Sequence, residues 1–248
     1  MSTIFCFTER VFLNFHKFID TYIFPWDTGC ISCDDHIIEN HRYGLCSNCL
    51  KALPRLKGQR CKFCLDEIDT EGLCASCLKN PPEYDQLFIP LTYSGFVQGL
   101  VQKFKYDGAQ YLRYPLANMV FDAINPKILP VTNYIVPVPA SKARMEKYLY
   151  NQTELLAQEL SDLSGVPVKC DVLFRKDTNA KTVSLSREER QRLIKEQYYF
   201  SSSVKGKTVL LVDDVVTTGE TLRVCSALLK KAGAARIYCC AIARTDRN

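Results

Sequence analysis

From residue 87 onward the chain switches repeatedly between two hydrophobic periods. The runs LFIPLTY (87–93), YIVPVP (134–139), KCDVLF (169–174), KTVLLVDD (207–214) and RIYCCAIAR (236–244) are short, apolar and rich in β-branched or aromatic residues, which predicts strands. Between them, GFVQGLVQKFKY (95–106), YLRYPLANMVFDAI (111–124), KYLYNQTELLAQELSDLSG (147–165) and ETLRVCSALLKKAG (220–233) space their apolar residues at the helical period. In the third of these, Leu155, Leu156, Leu160 and Leu163 form one stripe and Gly165 ends it. Residues 209–212 are apolar at odd and even places alike, the pattern of a strand covered on both faces. The alternation predicts an α/β fold on a mainly parallel sheet. Residues 175–198 are polar, charged and poorly periodic, and read as a loop.

The first third is organised differently. Residues 4–24 place Val11, Phe12, Phe15, Phe18, Ile19, Tyr22 and Ile23 on one helical face, and Pro25 closes the segment. Its acidic polar face suits a helix docked on protein rather than one lying on a membrane. Residues 26–80 carry a tandem repeat. Cys30-Ile-Ser-Cys33 is followed by GLCSNCLK with Cys46 and Cys49, and Cys61-Lys-Phe-Cys64 by GLCASCLK with Cys74 and Cys77. Pro81-Pro82 marks a boundary. The expected division is an amphipathic helix over 1–25, an eight-cysteine module over 26–80 and an α/β domain over 84–248.

Composition sharpens this picture. No apolar run approaches the ~20 residues of a membrane helix. A secretory n-region, h-region and cleavage site are all missing from the N-terminus, so the expected address is the cytoplasm. In that reducing compartment 13 cysteines, eight of them in four Cys-x-x-Cys couplets, read as metal ligands rather than disulfides. The net charge of +5 is uneven: residues 1–80 hold 9 Lys/Arg against 10 Asp/Glu, and residues 81–248 hold 23 against 17. A phosphate-rich partner should favour the C-terminal part.

Zinc takes four thiolates in a tetrahedron, and a Cys-x-x-Cys turn supplies two of them. Four couplets complete two such sites. The repeat favours Cys30, Cys33, Cys46 and Cys49 on one zinc and Cys61, Cys64, Cys74 and Cys77 on the other, with a crossed pairing of alternate couplets still open. Closed four-sulfur sites are structural, and in a module of few large apolar residues the metal supplies much of the folding free energy. His36 and His41 read as surface residues, since cysteines already fill the shells. Cys6, Cys170, Cys225, Cys239 and Cys240 sit in apolar contexts and read as plain thiols. Lys57, Arg60 and Lys62 cluster with Phe63, a ring that could stack on a base or belong to a solvated loop.

The run TVLLVDDVVTTGETL (208–222) drives a buried strand into two adjacent acids and then a hydroxyl- and glycine-rich turn. In parallel α/β sheets ligands sit outside the carboxyl ends of strands. Asp213 and Asp214 lie at such an end and can accept hydrogen bonds from sugar hydroxyls. Thr217, Thr218 and Gly219 lead into a helix whose free N–H groups and dipole suit phosphate. Together they form a physical recipe for ribose 5-phosphate.

VLLVDDVVTTGETL resembles the phosphoribosyl pyrophosphate (PRPP) signature of type I phosphoribosyltransferases. FPWDTGCISC, LVQKFKYDGAQYL and VPVPASKARMEKYLYNQTELLA extend the resemblance to the ComF family over nearly the whole chain. The resemblance implies an α/β domain with a mainly parallel sheet of type I phosphoribosyltransferase type, preceded by a small zinc-ribbon module. It further implies that Asp213 and Asp214 contact ribose, that Thr217, Thr218, Gly219 and Thr221 hold the 5-phosphate, and that Ser141, Lys142 and Arg144 face pyrophosphate, with Mg²⁺ bridging it to ribose. Two departures stand out. Tyr148-Leu149-Tyr150-Asn151-Gln152 replaces the family's Arg-Gly-Phe-Asn-Gln, and Asn179 and Thr182 replace a Thr and a Gln before Leu185-Ser186. They bear on turnover more than on sugar-phosphate binding.

The leading expectation is a ComF-type role in DNA uptake during natural transformation. Its partners would be single-stranded DNA, PRPP or a related sugar phosphate, and DNA-translocation proteins. The alternatives are an active phosphoribosyltransferase with an unknown acceptor, whose closing loop would carry Arg175, Lys176, Lys181 and Arg187, and a zinc-dependent adaptor.

Overall fold

Residues 29–37, 42–176 and 196–246 are described in a computed structural model; the segment 4–24, Cys6 and His41 lie outside them. The strands are β1 (Gln86–Phe88), β2 (Leu91–Thr92), β3 (Tyr134–Pro137), β4 (Leu173–Arg175), β5 (Tyr198–Phe200), β6 (Thr208–Val212), β7 (Val215–Val216), β8 (Arg236–Cys240) and β9 (Ala243–Arg244). The helices are α1 (Ser47–Lys51), α2 (Ala75–Lys79), α3 (Gly95–Tyr106), α4 (Arg113–Ala123), α5 (Lys142–Tyr148), α6 (Gln152–Ser164) and α7 (Glu220–Lys231).

The main sheet has the order β1-β8-β6-β3, and every neighbouring pair is parallel. Its strands are apolar on both sides because both sides are covered. Leu210 and Val212 join Ile135 and Cys240 in a core roofed by Phe104 of α3, Leu116 of α4 and Leu156 of α6. Val209 and Leu211 point the other way, to Ile237, Cys239 and the α7 residues Leu222, Cys225 and Leu229. Cutting a fully buried leucine such as Leu156 or Leu210 to alanine in such a core costs about 2–5 kcal/mol.

Three neighbouring strands break at one level. Phe88, Cys240 and Val212 are the last paired residues below the break, and Leu91, Ala243 and Val215 the first above it. The gap holds Ile89-Pro90, Ala241-Ile242 and Asp213-Asp214. Backbone bonds still cross it: Asp213 N–H donates to Cys240 O (3.0 Å), Ala241 N–H to Phe88 O (3.1 Å) and Ile242 N–H to Asp214 O (3.0 Å). The runs 87–93, 207–214 and 236–244, each expected as one strand or the end of one, are thus kinked ribbons. The two acids follow the carboxyl end of β6 directly, as expected, and occupy the kink between β6 and β7.

Two other expectations change. The run 147–165 is not one helix. Leu149 enters the left-handed region at φ 63° and ends α5, and Asn151 starts α6 by accepting from Thr153 N–H at 3.2 Å. The strand expected at 169–174 shrinks to β4, which pairs antiparallel with β5, an element that the polar content of 175–198 concealed. Its partner Tyr198 is buried on the α7 side. The connection between them, with Asn179, Lys181, Thr182, Leu185, Ser186 and Arg187, lies outside the described residues.

The eight-cysteine region folds as two copies of one knuckle. Cys30 N–H donates to Asp35 O and Cys61 N–H to Asp66 O, both at 2.8 Å. Asp34 (φ 62°) and Leu65 (φ 59°) follow the second cysteine in the same left-handed turn. Cys46 and Cys74 are the N-caps of α1 and α2. The two copies straddle the outer edge of the sheet: Leu45 and Leu53 enter the α3/α4 core, and Phe63 and Leu65 pack on the α7 side. Arg55 bridges to Leu91, and Thr92 N–H donates to Pro54 O (2.7 Å), so the module covers the open edge of β2.

Candidate functional site

The kink exposes little of the acids it holds: Asp213 and Asp214 are both buried. Asp214 N–H donates to Asp213 Oδ1 (2.8 Å), and Val215 N–H to Asp214 Oδ1 (2.6 Å). Burial and then the Asp214 charge push the Asp213 carboxyl up to about 7, against the pull of the Asp214 amide, Lys105 and Arg144.

Lys105, at the end of α3, places its Nζ 2.7 Å from Asp214 Oδ1, with both side chains only 13% exposed. This residue escaped the reading of the sequence. The available signal was a cation four residues after Val101 and beside Phe104, on the face of α3 that is otherwise apolar. The residues after α5 hold it in place. Tyr150 Oη donates to Phe104 O (2.9 Å) and Gln152 Nε2 to Lys105 O (3.0 Å), while Asn151 Nδ2 and Thr153 Oγ1 donate to Val138 O at the end of β3 (3.3 and 2.5 Å).

Beyond β7, Thr217 and Thr218 are exposed. Gly219 caps α7 at φ 78°, a conformation that favours glycine, and among the described residues no side chain caps that helix. Glu220 N–H makes a long bond to Thr218 Oγ1 (3.4 Å). Thr221 lies half-buried in the first turn.

The loop after β3 divides its roles. Ser141 caps α5, its Oγ accepting from Arg144 N–H (3.3 Å). Lys142 turns outward to Glu146 (3.9 Å). Arg144 faces inward: its charge reaches Asp213, and its buried Nε and Nη2 have no partner among the described residues. Of the nine expected site residues, the acids, the turn and Arg144 converge, whereas Lys142 lies on the surface. Arg175, at the end of β4, donates to Gln197 Oε1 (3.0 Å).

The thiols fall into two groups, Cys30/Cys33/Cys46/Cys49 and Cys61/Cys64/Cys74/Cys77, each with its sulfurs within 4.8 Å of one another. The tandem pairing is therefore realised and the crossed one is not. A zinc–sulfur tetrahedron with ~2.3 Å legs has edges of ~3.8 Å. Cys33 and Cys46 stand 3.7 Å apart and Cys64 and Cys74 3.6 Å apart, so the donor sets fit zinc. Burial alone would raise the Cys61 thiol, yet amide donation from Cys64, Cys74 and Phe63 brings it down to about 7. His36 is exposed and outside both groups. Burial pushes Cys225 and Cys239 well up, so both behave as core thiols. Within the expected cluster Lys57 and Lys62 are exposed, but Arg60 bonds Lys57 O (2.7 Å) and Asp246 (2.9 Å), and the Phe63 ring packs against two apolar clusters.

Fold and site define a class: a type I phosphoribosyltransferase-type domain joined to a zinc-ribbon module with two four-cysteine groups. A family model described as phosphoribosyl transferase domain matches residues 153–248. The chain is 32% identical over 225 residues to competence protein F of Haemophilus influenzae, covering 87% of this chain and 96% of that one. It is 28% identical over 208 residues to the DNA utilization protein YhgH of Escherichia coli, covering 82% and 91%. Over 150 residues it is 28% identical to competence protein ComFC of Bacillus subtilis, covering 59% of each. The chain belongs to the ComF family of competence proteins. Among the described residues, no helix is long and apolar enough to cross a membrane.

Proposed function

We propose that the protein serves DNA uptake in the cytoplasm by binding single-stranded DNA together with PRPP or a related sugar phosphate. The two thiolate groups hold structural zinc, and DNA-translocation proteins are its partners. The observation that carries this reading is the sheet kink, where Asp213 and Asp214 sit beside Lys105 and Arg144 and open onto the uncapped, glycine-hinged start of α7. Carboxylates accept from ribose hydroxyls, amides and threonine hydroxyls donate to the 5-phosphate, and Arg144, whose Nε and Nη2 have no hydrogen-bond partner among the described residues, meets pyrophosphate. Mg²⁺ would reach the site with the pyrophosphate, held by its oxygens and by the ribose that the acids grip.

Calorimetry with PRPP and Mg²⁺ tests this on the wild type and on Asp213→Asn/Asp214→Asn. Binding that is lost in the variant, without pyrophosphate release, supports the reading. Release with purine or pyrimidine acceptors makes the protein a phosphoribosyltransferase, and no binding by either leaves an adaptor.

The Asp213 carboxyl adds a pH signature. With its folded value raised to about 7, its stabilisation is complete in acid, below the ordinary carboxylate range, and is lost as pH rises through 7. The acceptor form needed by the sugar appears over the same interval. Sugar-phosphate affinity should rise from about pH 6 to about pH 8, and the part of the slope due to Asp213 should vanish in Asp213→Asn. An unchanged slope in that variant would assign the dependence to the ligand's phosphate.

A further inference from the structure

The lip of the kink site carries exposed side chains beyond the sugar-phosphate cradle, joined to it by Arg144 and to the α3/α4 core by the partly buried ring of Tyr148. Tyr106 follows Lys105 at the end of α3 and is 49% exposed. Its ring lies 5.7 Å from that of Tyr148, tilted by 57°. Arg144 stands 5.3 Å over the Tyr106 ring, and Lys147 4.9 Å over that of Tyr148. Exposed Lys103 lies one helical turn before Tyr106, on the same side of α3. Leu149 comes next in the chain. It is a branched residue held at φ 63°, a conformation that favours glycine, and its side chain is 81% exposed. The left-handed turn that ends α5 would suit glycine or asparagine; a leucine there strains the backbone and leaves its side chain in water, adding nothing to packing, and such violations of local rules cluster at functional positions.

We infer that Tyr106, Tyr148 and Leu149 form a base-stacking lip for single-stranded DNA, whose backbone phosphates lie along Lys103, Arg144 and Lys147. Flat rings interleaved with cations match a strand with unpaired bases, because every base has a stacking face and every linkage a negative charge. An apolar partner would leave the cations unanswered, and an acidic peptide would leave the rings without flat partners. The strand would run beside the sugar-phosphate cradle, since Arg144 stands over the Tyr106 ring and its charge also reaches Asp213 in the kink. The inference rests on the proposed DNA-binding role and locates it on this chain.

The test uses the full-length, zinc-loaded protein and fluorescence anisotropy at low salt, with labelled oligo-dT and an abasic strand of equal length and charge. Wild type should prefer oligo-dT. Tyr106→Ala and Tyr148→Ala should each weaken it by about 5- to 100-fold while leaving the abasic strand within about 2-fold, and Tyr106→Phe should restore it. Leu149→Gly should raise the melting temperature by about 2–4 °C through relief of strain and still weaken oligo-dT binding, which separates function from folding damage. If the wild type binds oligo-dT and the three variants bind it equally well, the lip is refuted and the DNA-binding role stands. If the wild type binds no oligonucleotide, both fall.

Discussion

The two cysteine knuckles are copies of one another in sequence and backbone, yet they attach to the rest of the molecule by different physics. The first docks through apolar residues, Leu45 and Leu53, and through polar contacts open to water. Arg42 pairs with Asp122 at 3.0 Å and donates to Asn118 at 2.7 and 3.1 Å, with the Arg42 side chain 49% exposed, and Tyr43 donates to Asp122. The second docks through buried charge. Asp66, in the turn after Cys64, pairs with Arg244 of β9, whose side chain is fully buried, and lies 3.3 Å from Cys64 Sγ. Arg223, in the first turns of α7, donates to Cys77 Sγ (3.0 Å) and to Asn80 O (2.5 Å). Both arginines flank the Thr217–Gly219 turn: Arg244 is in register with Val216 of β7, two residues before Thr218, and Arg223 N–H donates to Gly219 O (3.1 Å). Duplication supplied two like folding units; the first reaches the site through the backbone edge of β2, whereas among the described residues the second reaches it through buried side-chain charge.

That difference should appear most strongly when one metal is removed at a time. Cys30→Ser/Cys33→Ser and Cys61→Ser/Cys64→Ser should each lose one zinc per chain by metal analysis. The second variant should bind ribose 5-phosphate at least about 10-fold more weakly, and the first within about 3-fold of wild type. Equal losses would mean that the knuckles are interchangeable supports. Next in size is Asp66→Ala, which leaves the Arg244 guanidinium buried without its carboxylate; Arg244 Nε and Nη1 already have no partner among the described residues. Denaturant unfolding should show a loss of about 3–5 kcal/mol, with Asp66→Asn losing less because its amide oxygen still accepts.

Much of this was legible in the sequence, and what was not has physical reasons. The cysteine couplets declared themselves because a tetrahedral thiolate site depends on local spacing. Likewise β6, the turn at Thr217–Gly219 and α7 are contiguous, so one run of residues spells the proposed cradle. The contacts that distinguish the knuckles join residues far apart in the chain: Asp66 to Arg244 and Cys77 to Arg223. No period or motif marks a partner at that separation. Arg244 read as the charged end of a strand, and only the module packed over β9 makes it a buried cation. The kink was hidden for a related reason. Each strand taken alone is a plausible unbroken run, and the shared break is visible only when β1, β8 and β6 lie side by side.

Smaller effects sharpen the comparison at single contacts. Arg223→Ala removes a donor to a ligating sulfur, a charge-assisted hydrogen bond that contributes about 1.5–3 kcal/mol. It should speed the loss of one zinc to a chelator without changing the other, read as two resolved phases of release; one unchanged phase profile would detach α7 from the knuckle. Arg42→Ala should do least. Its ion pair with Asp122 is open to solvent and screened by salt, so the cost should stay below about 1 kcal/mol, and a double-mutant cycle with Asp122→Ala should return a coupling of the same size. The first knuckle is held by Leu45 and Leu53, which this substitution leaves in place. A coupling as large as that of Asp66 with Arg244 would show that exposed charge, and not buried apolar surface, fixes the first copy, and the contrast between the two modes of docking would disappear.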